Sequence, residues 1–256
     1  MKPKPSKFAW YDVMTTDVKA ATKFYSDVIG WTAADSGMPG MSYTLFSAGG
    51  VQVGGLMPIP EDARAMGAVP AWMGYIGVPD VDAATKRLKA GGGTIKRPPA
   101  DIPGVGRFGV VADPDGAGFI LFSGTGAEPK TVPSGTAGHV GWHDLRANDG
   151  KKAWKFYSTQ FGWTKTEALD MGAHGVYQMF ATGGDSVGGM MTKMPDTPNA
   201  HWLYFFNVDA IDAASARVTK GGGTITMAQH QVPGGQWIIQ CRDPQGAAFG
   251  LVAPKR

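Results

Sequence analysis

The sequence contains a single cysteine among 256 residues, so an intramolecular disulfide is excluded. Cys241 lies in no nucleophile motif, and we interpret it as an ordinary buried thiol. Histidine is also scarce and unevenly placed, because all five histidines follow residue 138. A symmetric pair of histidine-based metal sites, one in each half of the chain, is therefore excluded.

Neither sign of charge dominates: 24 Lys and Arg residues stand against 21 Asp and Glu residues, a formal net charge of +3. There is no basic run or aromatic-basic stripe, so we predict no nucleic-acid partner. The apolar stretches are too short to span a bilayer, and the start MKPKPSKF lacks the apolar core of a signal peptide. We therefore expect a cytoplasmic protein without a membrane partner.

Glycine, in contrast, is abundant, with 38 residues that recur as GG and GGG between periodic segments. This distribution is typical of many turns and short strands. The same segments reveal an internal repeat. Trp10, Phe24-Tyr25 and Gly30-Trp31 recur 132 positions later, VGGLM at 53 recurs as VGGMM at 187, and GGGTI occurs at 91 and 221. We predict a first domain over 1–124, a Gly/Pro/Ser/Thr-rich linker over 125–138 and a second domain over 139–256.

Each copy divides into two βαβββ units. In the first unit, FAWYDVMTTD alternates like a strand, and KAATKFYSDVIG has helical apolar spacing between a Thr15 to Asp17 cap and Gly30. The strands SYTLFSA and VQVGGLM follow. The second unit runs WMGYIGV, the helix VDAATKRLKA, GTIKRPPA, RFGVVA and GFILFSG, with the DPDG turn before the last strand. A single unit exposes an apolar sheet face, so we expect two units to pair around a cup.

These features resemble the vicinal oxygen chelate superfamily, which contains glyoxalase I, bleomycin-resistance proteins and extradiol dioxygenases. The resemblance covers nearly the whole chain, and it is carried by Thr16-Asp17, Phe24-Tyr25, Gly30-Trp31, their copies and the DPxG turns. It implies an α+β fold of two tandem domains, each of two paired βαβββ units forming a cupped mixed sheet. The W-x-D-[VL] pattern of the first strand is similar to the two-domain, glyoxalase-related branch.

Enzymes of this superfamily hold a divalent metal in the cup with His and Glu side chains. Carried onto this sequence, the ligand positions fall on residues without suitable donor atoms: Trp10, Trp142, Met73, Leu203, Ile120 and Gly250. Divalent ions of this kind require carboxylate or imidazole ligands. We therefore predict no metal and no other cofactor. One asymmetric site in the second copy, formed by His201 with Asp144 and His230, stays open as an alternative.

The segment HVGWHDL at 139–145 has two histidines at the i, i+4 spacing of a zinc-binding helix. It corresponds to the strand KFAWYDV of the first copy, and side chains alternate along a strand. We therefore expect His139 and His143 to lie on the helix side as structural residues. Trp142 and Asp144 would face the cup.

Asp12 and Asp144 recur beside Trp10 and Trp142, and they are the candidate catalytic acids. An acid against an indole in an apolar cup has its pKa raised by desolvation, which suits proton transfer. The alternative is that each aspartate only accepts a hydrogen bond and fixes the cup wall. Repetition does not separate the two, because a structural acid is duplicated as faithfully as a catalytic one.

The predicted ligand-binding wall is aromatic and consists of Trp10, Trp72, Tyr75, Trp142, His201 and Phe205, with Arg107 as an anion-binding residue at the first cup's mouth. Such a wall suits a flat or apolar small molecule held by stacking. We hypothesise metal-independent binding of a small organic molecule. The alternatives are a metal-dependent glyoxalase-like lyase, isomerase or dioxygenase, and a degenerate assembly protein. Whether the chain is an enzyme, and whether it is a monomer or a homodimer, stays open.

Overall fold

The computed structural model describes residues 4–126 and 132–256, so part of the predicted linker, 127–131, lies outside the described residues. The first copy contains β1 (Phe8–Thr15), α1 (Val18–Ile29), β2 (Thr32–Asp35), β3 (Thr44–Ala48), β4 (Val51–Pro58), α2 (Glu61–Ala65), β5 (Ala71–Gly77), α3 (Val81–Ala90), β6 (Thr94–Ile102), β7 (Gly106–Ala112) and β8 (Gly118–Gly124). The second copy contains β9 (Val140–Ala147), α4 (Gly150–Phe161), β10 (Thr164–Asp170), β11 (Val176–Ala181), β12 (Ser186–Thr192), β13 (His201–Asn207), α5 (Ile211–Lys220), β14 (Thr224–Gln231), β15 (Trp237–Arg242) and β16 (Ala248–Ala253). A 3₁₀ turn, Gly172–His174, precedes β11.

The predicted βαβββ units are confirmed, with two additions that the sequence pattern did not show. The strand β2 has the sequence TAAD and is exposed at every position, so it carries no alternation of apolar and polar residues. The short helix α2 lies in the loop that is longer in the first copy, and it buries no residue. Both elements therefore lack the burial pattern by which strands and helices are recognised in a sequence.

The helix ends follow the predicted capping. Asp17 has extended backbone angles, and its side chain accepts a hydrogen bond from the Ala20 N–H at 3.0 Å. Gly30 ends α1 in the left-handed conformation with φ 91°, which a residue with a Cβ adopts at a cost. Asp149 and Gly162 do the same for α4. The local sequence thus determines where these helices begin and end.

The strands form two mixed eight-stranded sheets, one in each copy. Their orders are β2-β3-β4-β1-β5-β8-β7-β6 and β10-β11-β12-β9-β13-β16-β15-β14. In each unit the first strand is parallel to the last, and the remaining strands are antiparallel. The register places Asp12 opposite Gly55 and Asp144 opposite Gly189. Each acid is therefore beside a glycine of the neighbouring strand.

By residue contacts the described chain divides into two compact units, and each unit takes one half of each copy. The Tyr25 unit comprises residues 11–73, 132–142 and 203–256, and the Tyr157 unit comprises residues 4–10, 74–126 and 143–202. Compact packing thus does not follow the order of the two copies along the chain.

The Tyr25 unit is built around a hydrogen-bonded chain of buried side chains. Trp72 Nε1 donates to Tyr25 Oη at 2.9 Å, and Tyr25 Oη donates to Asp243 Oδ2 at 2.9 Å. The other oxygen of Asp243 accepts from the backbone N–H groups of Gln245 and Ala247. Burial raises the pKa of Asp243, although these donors oppose the rise. The aspartate of the DPQG turn therefore joins the second copy to α1 of the first.

The Tyr157 unit contains the same chain of hydrogen bonds, but here the tryptophan and tyrosine belong to the second copy and the aspartate to the first. Trp202 Nε1 donates to Tyr157 Oη at 2.9 Å, and Tyr157 Oη donates to Asp113 Oδ2 at 3.1 Å. Trp163 stacks on Tyr157, with ring centroids 5.5 Å apart. Aromatic contacts of this kind add roughly 0.5–1.5 kcal/mol each beyond their buried area. The two cores therefore rest on the same residue types at equivalent positions.

Within the described residues, no helix combines the length and the apolar character needed to cross a membrane.

Candidate functional site

The first candidate acid, Asp12, lies in β1 and is 3% exposed. Tyr43, which precedes β3, donates its hydroxyl hydrogen to Asp12 Oδ1 at 2.7 Å. Strand alternation places Asp12 on the face opposite to Val13, which is fully buried. A carboxylate and a phenol oxygen are thus held together on the strand face opposite to Val13.

Gly55 allows this pairing because it has no side chain. A Cβ built on Gly55 would overlap the Tyr43 hydroxyl and lie 2.7 Å from Asp12 Oδ1. The Tyr43 phenol therefore fills the space over Gly55, and Gly189 is covered by Tyr177 in the same way. The repeated glycine of VGGLM and VGGMM is required by this close approach.

The second candidate acid, Asp144, is also buried, at 3% exposure of its side chain, but it has a different partner. Its Oδ2 lies 2.5 Å from Arg146 Nη2, and its Oδ1 accepts no hydrogen bond from the described residues. Arg146 Nη1 also contacts the sulfur of Met191. The first copy has Met14 at the position of Arg146, so the two acids have diverged in their surroundings.

Tyr43 and Arg146 are the polar partners that sequence reasoning missed. Tyr43 has a signal in the sequence, because Tyr177 repeats it at the same offset of 134 as the VGG motif. Arg146 stands two residues after Asp144, which places both on one strand face. The spatial pairing of Tyr43 with Asp12 has no local signal, since 31 residues separate them.

The residues at the superfamily's metal positions do not fit a divalent ion. The Phe205 ring covers Gly250, because a Cβ built there would overlap the ring. Phe205 packs with Leu203 and Val252 in a buried apolar cluster, against which Trp142 also packs. Across residues 4–126 and 132–256, no group of three or more His, Cys, Asp or Glu side chains could hold a metal. The residues at these positions therefore offer a divalent ion none of its usual ligands.

Three other residues of the predicted ligand-binding wall, Tyr75, Trp10 and Trp72, have different neighbours. Tyr75 lies opposite Ile120 in the register and meets Phe122 edge to face, with centroids 5.8 Å apart. Trp10 lies in β1 and is partly buried. Trp72 is buried in the Tyr25 unit, where its indole N–H donates to Tyr25 and the two rings meet edge to face.

Arg107, expected to bind an anion, is already paired with two carboxylates. Its Nε and Nη2 bond Asp82 at 2.7 and 3.0 Å, and its Nη1 bonds Asp101 at 2.8 Å. These contacts raise the pKa of Arg107 and lower that of Asp82. Residues around this pair line a pocket of about 350 Å³ that includes Ser123 and Thr125. A ligand anion would have to compete with both aspartates.

Of the two histidines of HVGWHDL, His143 lies in β9, whereas His139 precedes the strand. His143 is buried, stacks on Phe8 with centroids 3.9 Å apart, and donates from Nδ1 to the Val187 carbonyl at 2.6 Å. Burial lowers the pKa of His143 to about 4 and also lowers that of His139. The Nδ1 atom of His201 lies 3.0 Å from the Asn199 carbonyl. His143 is therefore buried and hydrogen-bonded, and its structural role stays a prediction.

Cys241 is also as expected, because it is 1% exposed, and burial raises its pKa to about 12.

A family model described as the Glyoxalase/Bleomycin resistance protein/Dioxygenase superfamily matches the chain twice, over residues 7–121 and 136–251. The chain therefore belongs to this superfamily.

Two relatives match over nearly their whole length. The chain is 33% identical over 260 residues to the Mycobacterium tuberculosis (strain CDC 1551 / Oshkosh) protein named "Putative glyoxylase CFP32", covering 98% of each chain. It is 32% identical over 263 residues to the anthracycline biosynthesis protein DnrV of Streptomyces peucetius, covering 97% of this chain and 93% of that one.

Solved structures agree on the fold. The Mn(II)-bound glyoxalase from Novosphingobium aromaticivorans superposes with a TM-score of 0.64 at 18% identity, covering 98% of this chain and 82% of that one. The 2,3-dioxygenase LapB from Pseudomonas sp. KL28 superposes with a TM-score of 0.64 at 12% identity, covering 97% and 91%. At these identities the likeness establishes the architecture alone.

Proposed function

We propose that this protein binds a small, planar, hydroxylated aromatic molecule without a metal, at the strand face that carries Asp12. The observation that carries the proposal is the buried Asp12 carboxylate bonded to the Tyr43 hydroxyl at 2.7 Å. A buried polar pair on an otherwise apolar face fixes the orientation of a ligand, while apolar and aromatic side chains supply its contact area.

The chemistry of the pair indicates which ligand groups it would recognise. Tyr43 uses its hydroxyl hydrogen on Asp12, so its oxygen and the carboxylate oxygens act as acceptors. A matching ligand presents O–H donors, as phenols do. The Tyr43 ring, which covers Gly55 beside Asp12, supplies aromatic surface. The relative DnrV is named for anthracycline biosynthesis, and anthracyclines are planar hydroxylated aromatics, which supports this ligand class.

The donor set supports metal independence. Tryptophan, methionine, leucine, isoleucine and glycine occupy the superfamily's ligand positions, and none of them offers the carboxylate or imidazole that these ions require. Asp12 is the group that would accept a proton from a bound phenol if the protein is an enzyme.

We also propose that the protein works in the reducing cytoplasm on a small molecule and not on a nucleic acid, as its lone buried thiol and near-neutral charge favour.

The test is a titration of the EDTA-dialysed full-length protein with 1,4-dihydroxyanthraquinone, followed by quenching of tryptophan fluorescence. We expect saturable binding that Tyr43→Phe weakens about tenfold, the loss of about 1.4 kcal/mol from one hydrogen-bonding group. Gln52→Ala, on the exposed side of β4, is the matched control and should bind normally. Binding that appears only after adding Mn²⁺, Ni²⁺ or Zn²⁺ would instead support a metal-dependent glyoxalase-like enzyme. Binding that is unchanged in Tyr43→Phe would refute the assigned site.

A further inference from the structure

The strand face that carries Asp144 differs in charge from its counterpart in the first copy. Arg146 stands at the position of Met14, and Lys193 stands at the position of Ile59. The equivalence of the latter pair is visible in the backbone. The Lys193 N–H donates to the Ala147 carbonyl at 2.7 Å, just as the Ile59 N–H donates to the Thr15 carbonyl at 3.0 Å. Two apolar positions of the first copy are thus cationic in the second.

Arg146 and Lys193 lie at the same end of the paired strands β9 and β12. Arg146 is the register partner of Met191. Lys193 follows Met191 by two residues, one position after β12 ends, and its N–H still pairs with the Ala147 carbonyl of β9. Side chains two residues apart on a strand share a face and stand roughly 7 Å apart. The two long cationic side chains can therefore converge on one small anion.

The charge of this group is not cancelled internally. Asp144 neutralises one of the two cations through its 2.5 Å contact with Arg146, so the three side chains carry a net charge of +1. The Asp144 side chain is 3% exposed and that of Arg146 is 22% exposed, so the carboxylate lies deeper than the guanidinium. Asp144 therefore positions Arg146 from the buried side of the pair.

Both cations keep hydrogen-bond donors available. A guanidinium has five N–H donors, and within the described ranges Arg146 contacts only Asp144 and the weakly accepting sulfur of Met191. Lys193 Nζ donates one bond, to the Thr197 carbonyl at 2.6 Å, and an ammonium has two more hydrogens. A planar guanidinium is suited to a carboxylate, which it binds through two parallel hydrogen bonds.

We infer that the second copy binds a small organic carboxylate on this face, with Arg146 and Lys193 contacting the anion and Asp144 positioning Arg146. The first copy, with Met14 and Ile59 at these positions, does not bind one there. This inference goes beyond the proposed function, which concerns the first copy and requires no charged ligand. It means that the two copies have become specialised for different ligand groups.

The experiment compares two probes of equal shape, anthraquinone-2-carboxylate and anthraquinone-2-carboxamide, by calorimetric titration of the full-length protein. The wild type should bind the carboxylate about tenfold more tightly than the amide. This preference should shrink as the ionic strength rises from about 0.01 to about 1 M, because salt screens a partly exposed ionic contact. The double variant Arg146→Met with Lys193→Ile, which copies the residues of the first copy, should bind both probes equally.

Lys220→Met, at an exposed position in the last turn of α5, removes one charge elsewhere and should retain the preference. Lys193→Ile alone leaves the Asp144–Arg146 pair intact, so it reports on the anion site even where Arg146→Met does not fold. Equal affinity for the two probes in the wild type, no carboxylate binding at all, or a full preference in Lys193→Ile would each overturn the inference. Amide binding without a carboxylate preference would leave the proposed function standing.

Discussion

At the scale of single residues, the duplicated positions of this chain have taken different chemical roles. Asp12 and Asp144 are equivalent and equally buried, yet one bonds a phenol and the other a guanidinium. His143, which is buried, corresponds to Tyr11, which is partly buried, but only a histidine side chain ordinarily titrates near neutral pH. Duplication therefore preserved the positions while substitution changed what each position can bind.

His143 should make stability depend on pH. Its pKa is about 4 in the folded protein against an unfolded value of 6.5, so below pH 6.5 the unfolded state binds a proton that the folded state excludes. The stability from the neutral ring is thus complete above pH 6.5 and declines as the pH falls towards 4. At pH 5 the free energy of unfolding should be about 2 kcal/mol lower than at pH 8 on this account.

Urea denaturation at both pH values measures this effect. Asp113 and Asp243, whose pKa values burial raises, act in the opposite sense, since protonating them favours the folded state. The variant His143→Tyr, which introduces the residue type of the first copy, isolates the histidine because it keeps both aspartates. If wild type and variant lose the same stability on acidification, His143 is not a buried neutral group.

At the scale of elements, the βαβββ unit places a glycine beside each acid. The VGG strand pairs in parallel with the first strand of its unit, and the register fixes Gly55 opposite Asp12. Because strands alternate, the neighbouring Gly54 faces the other way, where a Cβ would lie 2.7 Å from the Tyr11 carbonyl oxygen. The two glycines therefore relieve close contacts on opposite faces of one strand.

Gly55→Ala should displace Tyr43 from Asp12, because the new methyl group would overlap the phenol oxygen. We expect a loss of about 1–3 kcal/mol in the free energy of unfolding and about tenfold weaker binding of 1,4-dihydroxyanthraquinone. Chemical denaturation and fluorescence titration measure the two effects. Gly184→Ala is the control, since nothing lies within 4 Å of its Cβ position. A Gly55→Ala variant that binds like wild type would mean that Tyr43 is not needed.

At the scale of the whole molecule, compact packing crosses the sequence repeat. The Tyr25 unit joins α1 of the first copy to the DPQG turn and α5 of the second, and Arg217 of α5 donates to the Val28 carbonyl at 3.0 Å. The Tyr157 unit makes the reciprocal combination through Tyr157 and Asp113. Each copy thus supplies half of each buried core.

Separated copies should therefore be unable to complete a core. We expect fragments 1–126 and 132–256, produced separately, to expose the aromatic surface around Tyr25 and Tyr157 and to lack a cooperative unfolding transition as monomers. Mixed together, they should form a one-to-one complex that size-exclusion chromatography with light scattering detects. Two monomeric fragments that each unfold cooperatively would contradict this shared packing.

Much of the fold could be predicted from the sequence because its signals are local or repeated. The caps at Asp17 and Gly30, the alternation in β1 and the GGGTI turns all act within a few residues. The exposed strand β2 was missed because neither of its faces is buried. The hydrogen bond from the Trp72 indole N–H to Tyr25 was not predicted, because the two residues are 47 positions apart in the sequence. Strand alternation alone does not say which face carries a ligand.

The sequence by itself determined the superfamily, the four βαβββ units, the strand location of His143 and the lack of metal donors at the superfamily positions. These follow from residue identity and from backbone periods that need no tertiary contact. Only the tertiary structure decided that Tyr43 bonds Asp12, that Arg146 pairs with Asp144, and that each core draws on both copies. The Tyr43–Asp12 bond and the shared cores depend on which strands and helices lie side by side, and burial makes such pairings specific, because a buried polar group without a partner costs free energy.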